Sequence, residues 1–191
     1  MNLKDSQTRI NLMRSFAGES QARNRYTYAA EAAKSQSLHV IEAVFKFTAN
    51  QEKEHGKIFY NFLKEMTGEN ITIDGSYPVD IYDDVLKLLR SAQHNEFEEF
   101  EPVYPDFAAV ANQEGFTNIG AKFNQIAKIE KTHGDRFGMF ADLLEQGKLF
   151  VSDVEEEWMC LNCGYVHKSS EAPKSCPVCS HPQGYFVRLK L

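Results

Sequence analysis

This 191-residue sequence lacks the features that several classes of protein require. No stretch approaches the roughly 18 apolar residues of a membrane span, and the N-terminal MNLKDSQTRI has no apolar core of a signal peptide. No block of Lys or Arg is present and the formal net charge is -6, which argues against nucleic acid or an anionic membrane as a partner. We therefore expect a cytoplasmic protein with neither kind of partner.

Cysteine is absent before position 160, and all four cysteines fall between positions 160 and 179. In a reducing compartment, such a cluster predicts a metal site before it predicts disulfides. Cys160 with Cys163 and Cys176 with Cys179 form two C-x-x-C motifs, a spacing typical of a tetrathiolate site. A module of roughly 35 residues needs such a metal to hold it together. Four thiolates suit zinc or iron, and the motif alone favours a zinc ribbon.

Helical periodicity dominates the rest of the chain. The amphipathic segments are residues 5–34, 40–66, 83–113 and 118–146. A long polar stretch, TGENITIDGSYPVDIYDD, separates the second from the third, and the other connections are short. This pattern predicts an all-α, up-and-down four-helix bundle with one crossover over residues 1–147. We expect a linker at 148–156 and a second, metal-binding module at 157–191.

The helical part repeats itself. EKEHGKIFYNFL, which starts at Glu52, aligns with EKTHGDRFGMFA, which starts at Glu130, at an offset of 78 residues. Two helical hairpins related in this way would pack with pseudo-twofold symmetry. A site at the centre of the bundle would then receive its ligands in matched pairs.

An acid interrupts the apolar stripe of each helix near its middle. The interrupting residues are Glu19, Glu52, Glu96 and Glu130, with His55 and His133 ending two Glu-x-x-His motifs. Residues i and i+3 share a helix face, so each motif can aim a carboxylate and an imidazole at one point. Burying these carboxylates without compensation would be costly, and two divalent metals would balance them. The set suits iron or manganese and is the ligand set of ferritin-like di-iron proteins.

Three neighbouring residues have two interpretations each. Glu99 is either a seventh ligand, bound in one oxidation state in exchange for His55, or an acid with no direct metal role. Tyr26 and Tyr104 either hydrogen-bond to ligand carboxylates and orient them, or are ordinary core tyrosines.

The spacing of the tyrosines differs between the two hairpins. Glu19 to Tyr26 is seven residues, whereas Glu96 to Tyr104 is eight. The longer interval contains Pro102, which cannot donate an intrahelical hydrogen bond. We therefore expect a π-bulge or kink there that absorbs the extra residue.

These motifs resemble the rubrerythrin family over essentially the whole chain. The resemblance rests on FAGESQARNRY, NQEKEHGK, NEFEEFEPVYPDFA, IEKTHGDRF and CLNCGYVH with CPVC, in this order. It implies a ferritin-like bundle with a non-haem di-iron site and a rubredoxin-like domain with one iron, so three Fe ions per chain. The implied di-iron ligands are Glu19, Glu52, His55, Glu96, Glu99, Glu130 and His133, and the implied ligands of the third iron are Cys160, Cys163, Cys176 and Cys179.

The resemblance also implies a function. The family reduces hydrogen peroxide in oxidative-stress defence, so a peroxidase is expected here. No phosphate-cradling G-x-G-x-x-G is found, so an external NAD(P)H-dependent reductase or a rubredoxin would supply the electrons. Delivery from the tail of one subunit to the bundle of another implies a homodimer or higher homo-oligomer. The alternatives are a ferroxidase or iron-storage protein, and a non-enzymatic redox module with a zinc ribbon.

Overall fold

The computed structural model describes residues 2–190, which form a helical bundle followed by a small sheet. The helices are α1 (Gln7–Ser35), α2 (His39–Phe62), α3 (Val85–Glu98), α4 (Tyr104–Gln113) and α5 (Thr117–Glu145). The strands are β1 (Val151–Cys160), β2 (Val166–Glu171) and β3 (Phe186–Arg188). The four predicted helical segments are present, with the third divided between α3 and α4. Within residues 2–190, no helix has both the length and the apolar character needed to cross a membrane.

A π-helical turn divides the third segment. The turn spans Glu99–Val103, and Glu101 within it has an extended backbone, with φ -157° and ψ 116°. The expected break between Glu96 and Tyr104 is therefore confirmed, and it falls at Pro102. The turn directs Tyr104 inward, where only 1% of its surface remains exposed.

The N-terminus of α1 is fixed by two side chains. The Ser6 hydroxyl accepts a hydrogen bond from the Arg9 N–H at 3.1 Å. The carboxylate of Glu114, just after α4, accepts from the N–H groups of Gln7 and Thr8, each at 2.8 Å. Carboxylates at helix N-termini satisfy donors that have no partner within the helix. Glu114 thus ties the start of α1 to the end of α4.

Two apolar clusters fill the bundle, one on each side of a layer of acids. In α1, Leu12 lies in one cluster and Tyr26 in the other, with Glu19 between them. The same order recurs as Phe45, Glu52 and Phe59 in α2, as Leu89, Glu96 and Tyr104 in α3–α4, and as Phe123, Glu130 and Phe137 in α5. Packed aromatic and aliphatic side chains therefore close the acid layer at both ends.

The C-terminal sheet is antiparallel, with strand order β2-β1-β3 around a core that includes Trp158 and Phe186. The linker expected at 148–156 differs from the structure, because β1 begins at Val151 and pairs there with Glu171 of β2. The acidic composition of this stretch resembles a solvated linker. Strand pairing uses the backbone N–H and C=O groups, which that composition does not reveal.

The sheet packs against the turn between α1 and α2. The rings of His39 and Tyr185 stack with centroids 4.1 Å apart. Gly184 comes so close to this turn that a β-carbon on it would lie 1.8 Å from the Ser37 carbonyl oxygen. Only glycine fits such an approach. The four-cysteine domain is therefore held at the end of the bundle where α1 turns into α2.

Candidate metal centres

Two groups of donor atoms meet in the middle of the bundle. One group is Glu19, Glu52, His55 and Glu130, and the other is Glu52, Glu96, Glu130 and His133. Within each group, the ligand atoms lie within 4.8 Å of one another. All these side chains are buried, and they come from α1, α2, α3 and α5. Helices α2 and α5 each supply a carboxylate and an imidazole because residues three apart share one face.

Glu52 and Glu130 belong to both groups and present one oxygen to each imidazole. Oε2 of Glu52 lies 3.3 Å from Nδ1 of His55, and Oε1 lies 2.9 Å from Nδ1 of His133. For Glu130, Oε1 lies 2.9 Å from His55 Nδ1, and Oε2 lies 2.8 Å from His133 Nδ1. The two imidazole rings are nearly parallel, with centroids 5.6 Å apart. This geometry suits two carboxylates that bridge a pair of adjacent metal ions.

These donor atoms are buried and contact one another, but they have no hydrogen-bond partner outside the layer. They are Oε2 of Glu19, Oε2 of Glu96, both carboxylate oxygens of Glu52 and Glu130, Nδ1 of His55, and both ring nitrogens of His133. Buried polar atoms are nearly always hydrogen-bonded, and each exception costs about 1–3 kcal/mol. So many unpartnered atoms in one layer fit divalent cations, and carboxylate combined with imidazole fits iron.

In the absence of cations, protons balance the charge in this layer. Burial raises the pKa of Glu19 and Glu96 well above the ordinary range. Burial acts in the same direction on Glu52, but the His133 and His55 imidazoles outweigh it and lower that pKa to about 2. Burial lowers the pKa of His55, but the neighbouring carboxylates outweigh it and raise that pKa to about 9. Metal ions therefore compete with protons for these atoms.

Two tyrosines hold the acids that belong to only one donor group. The Tyr26 hydroxyl of α1 donates a hydrogen bond to Oε1 of Glu96 in α3. The Tyr104 hydroxyl of α4 donates to Oε1 of Glu19 in α1 at 2.5 Å. Each carboxylate keeps its other oxygen free. The pairing is crossed between the two hairpins, and the role of the tyrosines in orienting these carboxylates for metal binding stays a prediction.

Glu99 lies outside both donor groups. It is half-buried at the start of the π turn, and it lines a cavity that opens to solvent. A β-carbon built on Gly18 of α1 would lie 3.9 Å from Oε1 of Glu99. His55, its expected exchange partner, lies within the first donor group. The exchange between the two residues stays a prediction.

The four cysteines form the second centre. All are free, and their sulfur atoms lie within 4.8 Å of one another. Sγ of Cys160 is 3.7 Å from Sγ of Cys179, and Sγ of Cys163 is 3.6 Å from Sγ of Cys176. The backbone N–H of His181 lowers the pKa of Cys179 to about 6. Cys179 thus favours the thiolate form that metal binding requires, whereas burial raises the pKa of Cys160.

Comparisons with known proteins match both parts of the chain. A family model described as rubrerythrin matches residues 11–141, and a model of the rubrerythrin rubredoxin-like domain matches residues 158–187. The chain belongs to the rubrerythrin family. Rubrerythrin of Clostridium perfringens is 46% identical over 190 residues, which cover 99% of this chain and 97% of that protein.

Solved structures agree with this assignment. A structure of nigerythrin in a mixed-valence state has a TM-score of 0.63 at 28% identity, and the match covers 96% of this chain and 90% of that chain. A bacterioferritin of Desulfovibrio desulfuricans has a TM-score of 0.67 at 21% identity, with 78% and 86% covered, and supports the fold alone. The predicted fold class, a ferritin-like bundle with a C-terminal rubredoxin-like domain, is confirmed.

Membership of the rubrerythrin family and the two donor sets together define the cofactors. The chain has a di-iron carboxylate site in its bundle and a four-cysteine rubredoxin-like site in its tail. The prediction of three iron ions per chain, two in the bundle and one at the cysteines, is confirmed.

Sequence reasoning missed the cavity beside Glu99. Its lining includes Tyr77, a residue of the polar crossover, which has no periodic pattern to reveal its position. Gly18 offered a signal, because glycine inside a helix is about 1 kcal/mol less favourable than alanine and so indicates a local reason. In the structure, Gly18 is buried in the wall of this cavity.

Proposed function

We propose that the protein is a di-iron peroxidase that reduces hydrogen peroxide to water, with electrons relayed through the four-cysteine iron centre. The observation that carries the proposal is the sharing of Glu52 and Glu130 between two buried imidazoles, in a chain that also has a tetrathiolate site. The proposed ligands of the iron pair are Glu19, Glu52, His55, Glu96, Glu130 and His133, with Glu99 as a ligand in one oxidation state.

The reaction, H2O2 + 2 H+ + 2 e- → 2 H2O, breaks one O–O bond. The iron pair, when bound, supplies the two electrons and polarises that bond. The chain fixes the geometry around it. Tyr26 and Tyr104 hold Glu96 and Glu19 in one orientation, which leaves one oxygen of each for a metal. The apolar clusters on both sides keep bulk water out of the layer.

Protons reach the site from the cavity on the Glu99 side. Glu99 is on the cavity wall, and Tyr104 also borders it. A carboxyl group at position 99 can therefore pass protons from solvent toward the donor layer. We assign Glu99 two positions, one on the wall of the cavity and one as a ligand in place of His55.

The electrons have a long path within one chain. His39 contacts the cysteine domain, and His55 follows sixteen residues later on α2, about 24 Å away at 1.5 Å per residue. This length favours delivery from the cysteine domain of another subunit, and so a homodimer or higher homo-oligomer. The electrons come from an external NAD(P)H-dependent reductase or a rubredoxin, and the reaction takes place in the cytoplasm.

Stopped-flow mixing of the diferrous protein with hydrogen peroxide and, separately, with oxygen tests the proposal. We expect faster oxidation by peroxide and no accumulation of mineral. Faster oxidation by oxygen, with iron mineral accumulating, would instead support a ferroxidase or iron-storage protein. A colourless protein with zinc at its cysteines would support a non-enzymatic module, so the visible spectrum and metal content are measured first.

A further inference from the structure

A cavity of about 520 Å³ lies beside the donor layer, between α1, the crossover and the π turn. Its lining includes Val103 and Phe107, together with Tyr77 and Pro78 of the crossover. Glu99 and Tyr104 are also on its wall. The partly aromatic cavity therefore reaches from solvent to Glu99 and Tyr104, and Tyr104 donates a hydrogen bond to the proposed ligand Glu19.

The volume of this cavity is much larger than hydrogen peroxide needs. In the liquid, each water molecule takes up about 30 Å³. Hydrogen peroxide has only two oxygen atoms and would leave most of the cavity unused. Cavities of about 300–1,000 Å³ with apolar walls and few polar groups are typical of sites for organic ligands. The space therefore fits a substrate that has a hydrocarbon part as well as an O–O bond.

The charges around the cavity favour a neutral ligand. Arg25 pairs with Asp80 at 2.7 Å, and Arg14 pairs with Asp74, so both arginines already have carboxylate partners. Glu98, whose side chain is exposed, also lines the cavity. An anionic ligand would meet acids without finding an unpaired cation among these residues. This argues against a fatty-acid carboxylate and for an uncharged molecule.

We infer that the cavity binds the hydrocarbon part of a neutral organic hydroperoxide, with its O–O group directed past Glu99. This inference rests on the proposed peroxidase function and extends its substrate class. The reaction is ROOH + 2 H+ + 2 e- → ROH + H2O. The O–O bond breaks, the protons come from solvent, and the two electrons come from NAD(P)H through the external reductase.

Gly18 is the position that controls the width of the cavity. A β-carbon there would lie 3.9 Å from both Oε1 of Glu99 and Cε1 of Tyr77, which is ordinary contact distance. Gly18→Ala therefore fits without displacement, and Gly18→Leu places three further carbon atoms in the space. Asn24→Leu adds the same side chain at an exposed position on the same helix and is the matched control.

Steady-state kinetics with cumene hydroperoxide and hydrogen peroxide test the inference on the iron-loaded, full-length protein. We expect the wild type to reduce both. Gly18→Leu should lower kcat/KM for cumene hydroperoxide, relative to hydrogen peroxide, by about tenfold or more, the usual size of a pocket's discrimination by a few carbons. Gly18→Ala should lower the same ratio less, and Asn24→Leu should not change it.

Calorimetry of the oxidised protein with 2-phenyl-2-propanol, the product alcohol, gives a second readout that needs no turnover. Saturable binding that weakens in Gly18→Leu and persists in Asn24→Leu supports the cavity as the site. If hydrogen peroxide is reduced but cumene hydroperoxide is not, or if Gly18→Leu binds and reduces as the wild type does, the inference is overturned and the proposed function stands. Failure to reduce either peroxide overturns both.

Discussion

The hydroxyl of Tyr104 lies 2.5 Å from Oε1 of Glu19, although the two residues are 85 positions apart and belong to different hairpins. Tyr26 and Glu96 repeat this relationship in the opposite direction. Each hairpin therefore orients an acid of the other. The donor layer is correctly arranged only when the two hairpins are packed together.

Tyr104→Phe is expected to lower the affinity of the bundle for iron by about 10–100-fold, the usual effect of losing a partner that orients a ligand. Without the hydroxyl, Oε1 of Glu19 is buried and unpartnered, and the carboxylate can rotate. Competition with a chelator of known affinity measures the change. Tyr28→Phe is the control, because Tyr28 is 64% exposed on the same bundle. Equal affinities in the two variants would contradict the orienting role.

Glu52→Gln is expected to abolish iron binding by both donor groups of the bundle. Glu19→Gln should weaken iron binding by one donor group only. Glu52 belongs to both donor groups and Glu19 to one. The iron content of purified Glu52→Gln should fall to the single ion at the cysteines, and Glu19→Gln should retain more. Metal analysis, with visible absorption of the cysteine-bound iron, measures both centres in one sample. Equal losses would mean that Glu52 is not shared.

Glu114→Gln is expected to destabilise the protein at neutral pH and to have less effect in acid. Burial raises the pKa of Glu114, but the Thr8 hydroxyl and the N–H groups of Gln7 and Thr8 outweigh it and lower that pKa. A folded pKa below the unfolded value of about 4.3 means that the stabilisation is present above this pH. It is lost as the pH falls through the folded pKa.

The size of this effect follows from helix capping. We expect the free energy of unfolding to fall by about 1 kcal/mol at pH 7, as for the loss of other N-terminal caps. Denaturant unfolding of wild type and variant, from pH 7 downward, measures the difference. Glu31→Gln, an exposed position on α1, should have no such effect. A difference that stays constant below pH 4 would show that charge is not its cause.

Cys163→Ser is expected to unfold the C-terminal sheet and leave the bundle folded. The sheet has a small core and depends on its metal, whereas the bundle has two large apolar clusters. Trp158 is the single tryptophan and is fully buried in that core, so its fluorescence reports on this domain alone. We expect its emission to shift to the red while helical circular dichroism stays nearly unchanged. Loss of the helical signal as well would contradict independent stabilisation.

Some parts of the site could be predicted because they depend on local geometry. Glu52 and His55 share a helix face wherever the helix packs. The interval from Glu96 to Tyr104 is one residue longer than its counterpart in the first hairpin and contains Pro102, which cannot continue a regular helix. These two features predicted the π turn. The cross-pairing of Tyr26 with Glu96 could not be predicted, since it depends on how the hairpins rotate against each other.

Contacts between distant parts of the chain were also hidden in the sequence. The strand that begins at Val151 is made by backbone pairing with Glu171, which leaves no mark on the side-chain pattern. The approach of Gly184 to the Ser37 carbonyl joins segments that are far apart in sequence. Periodicity gives the buried face of each element but does not identify the neighbour that covers it.

The two apolar clusters separate the folding of the bundle from the supply of metal. Both ends of the donor layer are closed by side chains that need no ion, and protons can occupy the layer in the meantime. The cysteine domain has no apolar cluster of that size, so it must acquire its iron as it folds. One polypeptide thus combines a metal site that can lose and regain its ions while the bundle stays folded with a second site whose metal is bound as its domain folds.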